Sequence, residues 1–310
     1  MKKLLICCAS LSNGSDSDSR FELDSLYHES KAFYDRTLLI HPLRVKHIID
    51  PEKNTSSATY KNELLSDATS LIIRSTYNCE ESSRLLAMNL FNNHCELLDP
   101  LERFHGMPAA KSSLAFKGLK DKTLPATLIA FTKQTALELK DYIAGEGLFP
   151  VIGKPSSGKQ GLHVELLSDV KETETYINNF FRNYRGNNSA LIFQKYIEIN
   201  KEYRVLVLDG SSMGCVEKMP SPNSVARNAK RGSEFAFVKN QPVESFAETH
   251  VSSKGFVGVD IAIDIHNFTY MIESNRSPRW EMFQKTSGIN VAEKIMLALE
   301  KRIRTNNELF

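Results

Sequence analysis

The sequence predicts a mixed α/β protein: a small N-terminal unit built on a parallel sheet, then a larger unit whose sheets are mostly antiparallel. Three observations predict this. Over the first hundred residues, short apolar runs alternate with polar, helix-periodic segments, so strand and helix come in turn. From about residue 149 onward, several apolar runs follow one another across short turns, which join antiparallel neighbours. The 310 residues are 41% hydrophobic and 25% charged, enough for a substantial core in two or three structural units.

The elements can be justified in order. Residues 4–9 read as a buried strand, 13–18 as a Ser/Asp/Gly loop, and 37–40 and 71–74 as further strands. Between residues 80 and 92, Leu85, Leu86, Met88, Leu90 and Phe91 recur at helical spacing, and 96–98 is strand-like. Residues 99–105 connect to the second unit. A helix is predicted over 111–119, ended by Leu124-Pro125-Ala126-Thr127, and another over 134–144, closed by Gly145 and Gly147. Residues 149–154 and 162–167 read as two strands of a hairpin, 172–182 as a helix and 190–196 as a strand. Residues 202–208, 215–219, 257–263 and 269–274 read as sheet, and 291–303 as a closing helix.

Composition excludes several classes. The formal net charge of +2 gives no argument for nucleic acid or an anionic membrane as partner. The basic run 227–232 lacks the interleaved aromatics of a nucleic-acid platform. Five cysteines, an odd number with Cys7 and Cys8 adjacent and no CxxC spacing, read as reduced thiols in a cytoplasmic protein. The opening Met1-Lys2-Lys3-Leu4-Leu5-Ile6-Cys7-Cys8 resembles a lipoprotein signal, but its apolar run is shorter than the roughly 7–15 residues of an h-region. A buried first strand explains it better. No run approaches the ~18 apolar residues of a membrane span. His41, His47, His94 and His105 show no ligand spacing.

Three segments carry chemistry. Asp260 lies in a predicted strand, and a short turn separates it from Tyr270-Met271-Ile272-Glu273-Ser274-Asn275. Alternation puts Met271, Glu273 and Asn275 on one face, and hairpin pairing can set Asp260 across from Glu273. Two carboxylates and an amide oxygen are hard ligands suited to magnesium beside phosphates, with Met271 as an apolar contact for a flat base. Solvated charges on an exposed hairpin are the plain alternative. The loop from Lys154 to Gly161 offers small residues with free N–H groups, and a lysine at the strand end. It is not a Walker A loop, because a strand follows it. Gln194-Lys195-Tyr196-Ile197 ends a strand in an irregular segment able to read a base edge. Glu202 and Arg204 follow it.

Taken in order, these motifs resemble the ATP-grasp superfamily, specifically its RimK-like branch of glutamate and amino-acid ligases. The closing Glu273-Ser274-Asn275-Arg276-Ser277-Pro278 and Thr286-Ser287-Gly288-Ile289-Asn290-Val291-Ala292 are very close to that branch, and the resemblance runs from about residue 71 to 298. It implies a pre-ATP-grasp domain over 1–104 and an α+β ATP-grasp domain over 105–310. The latter divides into a nucleotide-covering lobe (105–195) and a metal- and acceptor-binding lobe (196–310). It implies that Lys111 and Lys154 contact phosphates, and that Gln160 and Gly161 lie in the flap. Gln194, Lys195, Tyr196 and Ile197 would form the adenine hinge, and Glu202 would take the ribose. Asp260, Glu273 and Asn275 would hold two magnesium ions, with manganese as a substitute. Arg204 and Asn228 would face the transferred phosphoryl group, with Lys218, Arg227 and Lys230 competing to stabilise the intermediate. The family's arginine before this asparagine is Ala226 here, and its second glycine is Ser233.

The activity so implied is ATP-dependent joining of a carboxylate to an amine through an acyl phosphate. The amine would belong to an amino acid, a peptide or a protein terminus, and the enzyme would be a homo-oligomer. A peptide-crosslinking maturase and a non-catalytic ATP-binding protein resembling synapsins are the alternatives. Trp280 stands where the family has small residues, either as a substrate contact or as a packed aromatic.

Overall fold

The computed structural model describes residues 1–9, 20–76, 79–101, 123–156, 163–183, 189–219, 234–251 and 253–308. The predicted helix 111–119 and the predicted boundary at 104/105 lie outside them.

The N-terminal unit is the expected parallel α/β layer. Strands β1 (Lys3–Cys8), β2 (Arg36–Ile40), β6 (Ser70–Ser75) and β7 (Glu96–Leu97) form one sheet in the order β2-β1-β6-β7, and every pairing is parallel. β1 is buried along its whole length, as an unbroken apolar run in a parallel sheet should be. Its alternate residues feed two cores. Leu5 and Cys7 pack with helix α2 (Glu80–Asn92), while Leu4, Ile6 and Cys8 face α1 (Arg20–Ser30) and the C-terminal helix.

An antiparallel three-stranded sheet that alternation does not reveal, β3 (Lys46–Asp50), β4 (Thr55–Tyr60) and β5 (Glu63–Leu64), is inserted before β6. β4 reads Thr-Ser-Ser-Ala-Thr-Tyr, too polar to signal a strand, yet its turns are explicit. Lys61 and Asn62 both take positive φ (49° and 65°), the geometry of a two-residue type I′ hairpin turn.

The second unit opens with an antiparallel sheet in the order β10-β9-β11-β8: β8 (Thr127–Ala130), β9 (Val151–Pro155), β10 (Glu165–Leu167) and β11 (Leu191–Lys195). Helices α3 (Lys133–Gly145) and α4 (Val170–Asn183) pack on it around its own core of Ile143, Tyr176, Ile177, Phe180 and Phe193. The predicted hairpin is present, with a shorter second strand than expected. A five-stranded antiparallel sheet follows, β14-β13-β12-β15-β16, from β12 (Ile199–Leu208), β13 (Ser211–Lys218), β14 (Phe235–Val238), β15 (Phe256–Asp264) and β16 (Thr269–Asn275). One face packs on α5 (Gln241–His250) through Val205, Val259 and Ile261.

The other face merges with the N-terminal unit. Leu206, Val216, Phe256 and Trp280 share one cluster with Leu4, Ile6, Leu26 and Ile72, closed by α6 (Glu281–Ser287) and α7 (Val291–Glu308). Trp280 is the packed aromatic of the two readings. It is fully buried, 5.5 Å from Phe256 edge-to-face, with the Arg74 guanidinium 4.5 Å over its ring. Its backbone N–H donates to the buried Glu22 carboxylate at 3.0 Å. All five cysteines are buried, and none forms a disulfide. No helix among the described residues is long and apolar enough to cross a membrane.

Candidate active site

Alternation on the five-stranded sheet decides which side chains meet. Tyr203, Val205, Val259 and Ile261 fill the core under α5, so Glu202, Arg204 and Asp260 must point from the opposite face. Register then aligns them: Arg204 pairs with Asp260 across β12–β15, and Asp260 with Glu273 across β15–β16. Asn275, opposite Gly258, shares that face. The hairpin pairing expected from sequence is therefore present, and Asp260, Glu273 and Asn275 come together.

The expectation that Met271 joins them fails. A bulge at Ile272 breaks the alternation, so that Met271 pairs with Ile261. It is 1% exposed in the core under α5, and its N–H donates to the Thr123 carbonyl at 2.8 Å.

Four charged groups interlock beneath the acids. Arg204 grips Asp260 bidentately, Nε to Oδ1 and Nη2 to Oδ2, both at 2.7 Å. Lys218, at the end of β13 and 3% exposed, reaches Asp260 Oδ2 at 2.6 Å and Glu202 Oε1 at 2.7 Å. Burial works against ionising Asp260, but Arg204 and then Lys218 outweigh it and hold the carboxyl well below the usual carboxylate range. For Arg204, burial likewise opposes the charge, and Asp260 more than restores it. These are not the surface ion pairs of the plain reading: Glu202 and Asp260 are each 7% exposed.

A second cluster sits on the smaller sheet. Lys154 is buried and donates to Gln194 Oε1 at 2.7 Å, while Gln194 Nε2 donates to Thr127 Oγ1 at 3.0 Å. Sequence reasoning passed over Thr127. Its signal was register, since Thr127 lies directly opposite Gln194 across β8–β11. Both ends of the Gln194 amide are thus engaged in orienting the lysine. At the hinge, the N–H groups of Lys195 and Tyr196 already bond to the Ala126 and Pro150 carbonyls, at 2.8 and 3.3 Å. Two donors expected to be open are therefore occupied. Lys195 is exposed, and Tyr196 and Ile197 are half-buried. Lys111, Gln160, Gly161, Arg227, Asn228 and Lys230 lie outside the described residues.

The donor set suits a hard divalent cation. Asp260, Glu273 and Asn275 offer only oxygen, from one sheet face, without histidine or thiolate. Asp260 holds its two oxygens against cations of the kind that bind phosphate, so a nucleotide brings those cations an alternative partner.

Comparison with known proteins shows the family and the fold. The family model of the RimK-like ATP-grasp domain matches residues 112–299. The "Probable alpha-L-glutamate ligase 1" of Shewanella frigidimarina is 29% identical over 200 residues, 63% of this chain and 64% of that protein. The ribosomal protein bS6–L-glutamate ligase of Escherichia coli O81 is 27% identical over 188 residues, 59% of this chain and 60% of that protein. The matched regions thus span under two thirds of these relatives' length. In fold, the crystal structure of the D-cycloserine synthetase DcsG superposes with TM-score 0.69 at 15% identity, over 97% of this chain and 99% of that one. The RiPP-associated ATP-grasp ligase of Chryseobacterium gregarium, solved with ADP and a leader and core peptide, gives 0.66 at 17% identity over 97% of each chain. Since one family model matches residues 112–299, more than half of its length, the chain belongs to the RimK-like ATP-grasp family.

Proposed function

We propose that the protein is an ATP- and magnesium-dependent carboxylate–amine ligase. The observation that carries this reading is the buried Glu202–Lys218–Asp260–Arg204 cluster, with Glu273 and Asn275 on the same sheet face. A non-catalytic nucleotide binder has no need to bury Glu202, Lys218 and Asp260 under a half-buried arginine beside two further oxygen ligands.

In this proposal Asp260, Glu273 and Asn275 hold magnesium, two ions in the full site with manganese able to replace them, which screens the triphosphate charge. Lys154, positioned by Gln194, contacts phosphate, as does Lys111. Gln160 and Gly161 cover the nucleotide, and the backbone at 195–197 takes the adenine edge. Glu202 turns from Lys218 to the ribose. A carboxylate oxygen of the substrate attacks the γ-phosphorus, the β–γ bridging bond breaks, and ADP leaves. Arg204 and Lys218, released from Asp260, neutralise the acyl phosphate, with Asn228 and Arg227 beside it. The amine nitrogen then attacks the carbonyl carbon, phosphate departs with the C–O bond pair, and the amine loses a proton. Positioning and charge neutralisation are what phosphoryl transfer requires.

Two relatives are named for joining L-glutamate or for acting on a ribosomal protein, and a fold neighbour was solved with a peptide. We therefore place an α-amino acid or a polypeptide among the substrates, and a crosslinked peptide product is the second reading. The test is a mass-spectrometric screen with ATP, magnesium and pooled amino acids, dipeptides or precursor peptides, coupled to phosphate release. A product one water lighter than its two components, with one ADP each, supports the ligase. A peptide that loses water internally supports the second reading. Tight ATP binding without product from any pool defeats both.

A further inference from the structure

Asn275 is held differently from the two carboxylates on its sheet face. Asp260 and Glu273 lie inside paired strands, whereas Asn275 ends β16 and the chain turns away at once through Arg276, Ser277 and Pro278. That turn fixes the carboxamide. The Ser277 N–H donates to Asn275 Oδ1 at 2.8 Å, and because a backbone N–H can only donate, the atom facing it is the oxygen. One lone pair of that oxygen is engaged, and the second is left to point at a cation. The direction of that second lone pair therefore follows the position of residue 277.

The N-terminal unit grips the residue on each side of Ser277. Asp99, two residues beyond β7 and 4% exposed, has Oδ1 4.0 Å from Arg276 Nη1. The same oxygen accepts the Phe256 N–H at 3.2 Å, at the first residue of β15. Arg74, on the adjacent parallel strand β6, donates from Nη2 to the Pro278 carbonyl at 2.7 Å. The fit is close. A Cβ at Gly255, whose φ is 99°, would lie 2.7 Å from Asp99 Oδ1 and 3.1 Å from Arg276 Nη1. One carboxylate thus ties the start of β15 to the end of β16, the two strand ends that meet where Gly258 pairs with Asn275.

We propose that Asp99, assisted by Arg74, is a positioning residue for Asn275. All three proposed magnesium ligands belong to the second unit, yet the N-terminal unit sets the angle at which the amide oxygen meets the cation. The inference rests on the magnesium reading of Asp260, Glu273 and Asn275. Groups that orient a ligand from behind change metal affinity about 10–100-fold when they are removed. They leave the affinity for metal-free nucleotide alone, because the phosphate-contacting Lys154 sits on the other sheet.

The test is calorimetric titration of the full chain with a non-hydrolysable ATP analogue, once in EDTA and once in excess manganese. The ratio of the two affinities is the coupling between metal and nucleotide. Asp99→Ala loses both contacts and should shrink that ratio about 10–100-fold, with the EDTA affinity unchanged. Asp99→Asn keeps an acceptor for the Phe256 N–H and should recover part of the loss. Arg276→Gln, at a half-buried site that tolerates the change, should shrink the ratio as well, and it decides the matter where Asp99→Ala does not fold. Glu96→Gln is the control. Glu96 joins the same two units through Lys254 and Arg302 rather than through Arg276, so its loss should leave the ratio at the wild-type value. Folded Asp99→Ala and Arg276→Gln proteins with the wild-type ratio overturn the positioning role and leave the magnesium reading standing. An equal fall in Glu96→Gln also overturns it, because any loosening of the interface would then suffice. A wild type that gains nothing from manganese overturns the magnesium reading, and this inference with it.

Discussion

Asp260 stands between Arg204 and Lys218, so its substitution should act twice. If the proposed site is right, Asp260→Asn should lower turnover about a thousandfold, because it removes both a proposed metal oxygen and the charge that holds two cations in place. Asp260→Ala should cost about 3–5 kcal/mol in urea unfolding, as it leaves the buried Lys218 and the half-buried Arg204 without the carboxylate between them. The pH dependence has a definite sign. The folded carboxyl is held below its unfolded value of about 4, so its contribution is complete above that pH and is lost as pH falls through the lower folded value. Unfolding midpoints stepped from neutral pH downward should therefore drop more steeply for the wild type than for Asp260→Asn. Lys154→Ala, by contrast, should weaken ATP binding about tenfold or ~1.4 kcal/mol by calorimetry, with little change in acceptor KM. At this scale sequence reading performed unevenly, for a physical reason. The shared face of Asp260, Glu273 and Asn275 was legible because a short turn fixes a hairpin's register. Met271 was misplaced because one extra residue at Ile272 inverts the face, and composition carries no mark of a bulge. The Lys218–Glu202 pair was invisible, since it depends on where β13 stops against β12.

At the scale of elements, two glycines set how closely strands approach their neighbours. A Cβ at Gly153 would lie 2.6 Å from a Tyr176 ring carbon and 2.8 Å from a Leu167 methyl, so α4 and β10 would have to shift. A Cβ at Gly258 would lie 2.5 Å from Pro278 Cβ, in the segment that follows Asn275. Each Gly→Ala change should destabilise by about 1–3 kcal/mol through overpacking. Their kinetic signatures should differ. Gly153→Ala displaces Lys154 and should raise KM for ATP. Gly258→Ala displaces the Asn275 end of β16 and should raise the magnesium requirement in steady-state assays. Elements with strong periodicity were legible from sequence, notably α2, whose predicted bounds coincide with the observed helix. The β3–β5 sheet was not, because a polar strand at an edge gains its stability from backbone pairing and hairpin turns rather than from an apolar face. Helices α5 and α6 were likewise missed, each being short and set between strands or just after one.

For the whole molecule, the parallel N-terminal sheet and the five-stranded sheet share one core, while the smaller antiparallel sheet keeps its own. Trp280, the chain's only tryptophan, reports on the shared core alone. Its fluorescence should follow a single transition in urea that includes the N-terminal unit. Far-UV circular dichroism should show a further transition wherever the smaller sheet melts separately, and coincident curves at all conditions would count against that independence. The general α/β order was legible, because parallel strands need long crossovers and antiparallel ones do not. The fusion of two units through Trp280 was not, since nothing in a local pattern shows which buried face meets which.

That fusion determines where the protein can be exchanged with its relatives. A recombinant joined near residue 104 would bring together two half-cores never selected to fit, with Glu22, Leu26 and Trp280 each losing its counterpart. The segment from Thr123 to Lys195, whose apolar residues chiefly satisfy one another, is the transferable cassette. Libraries shuffled at the edges of that segment should yield soluble hybrids with altered nucleotide affinity. Libraries cut at the apparent domain border should yield mostly aggregates.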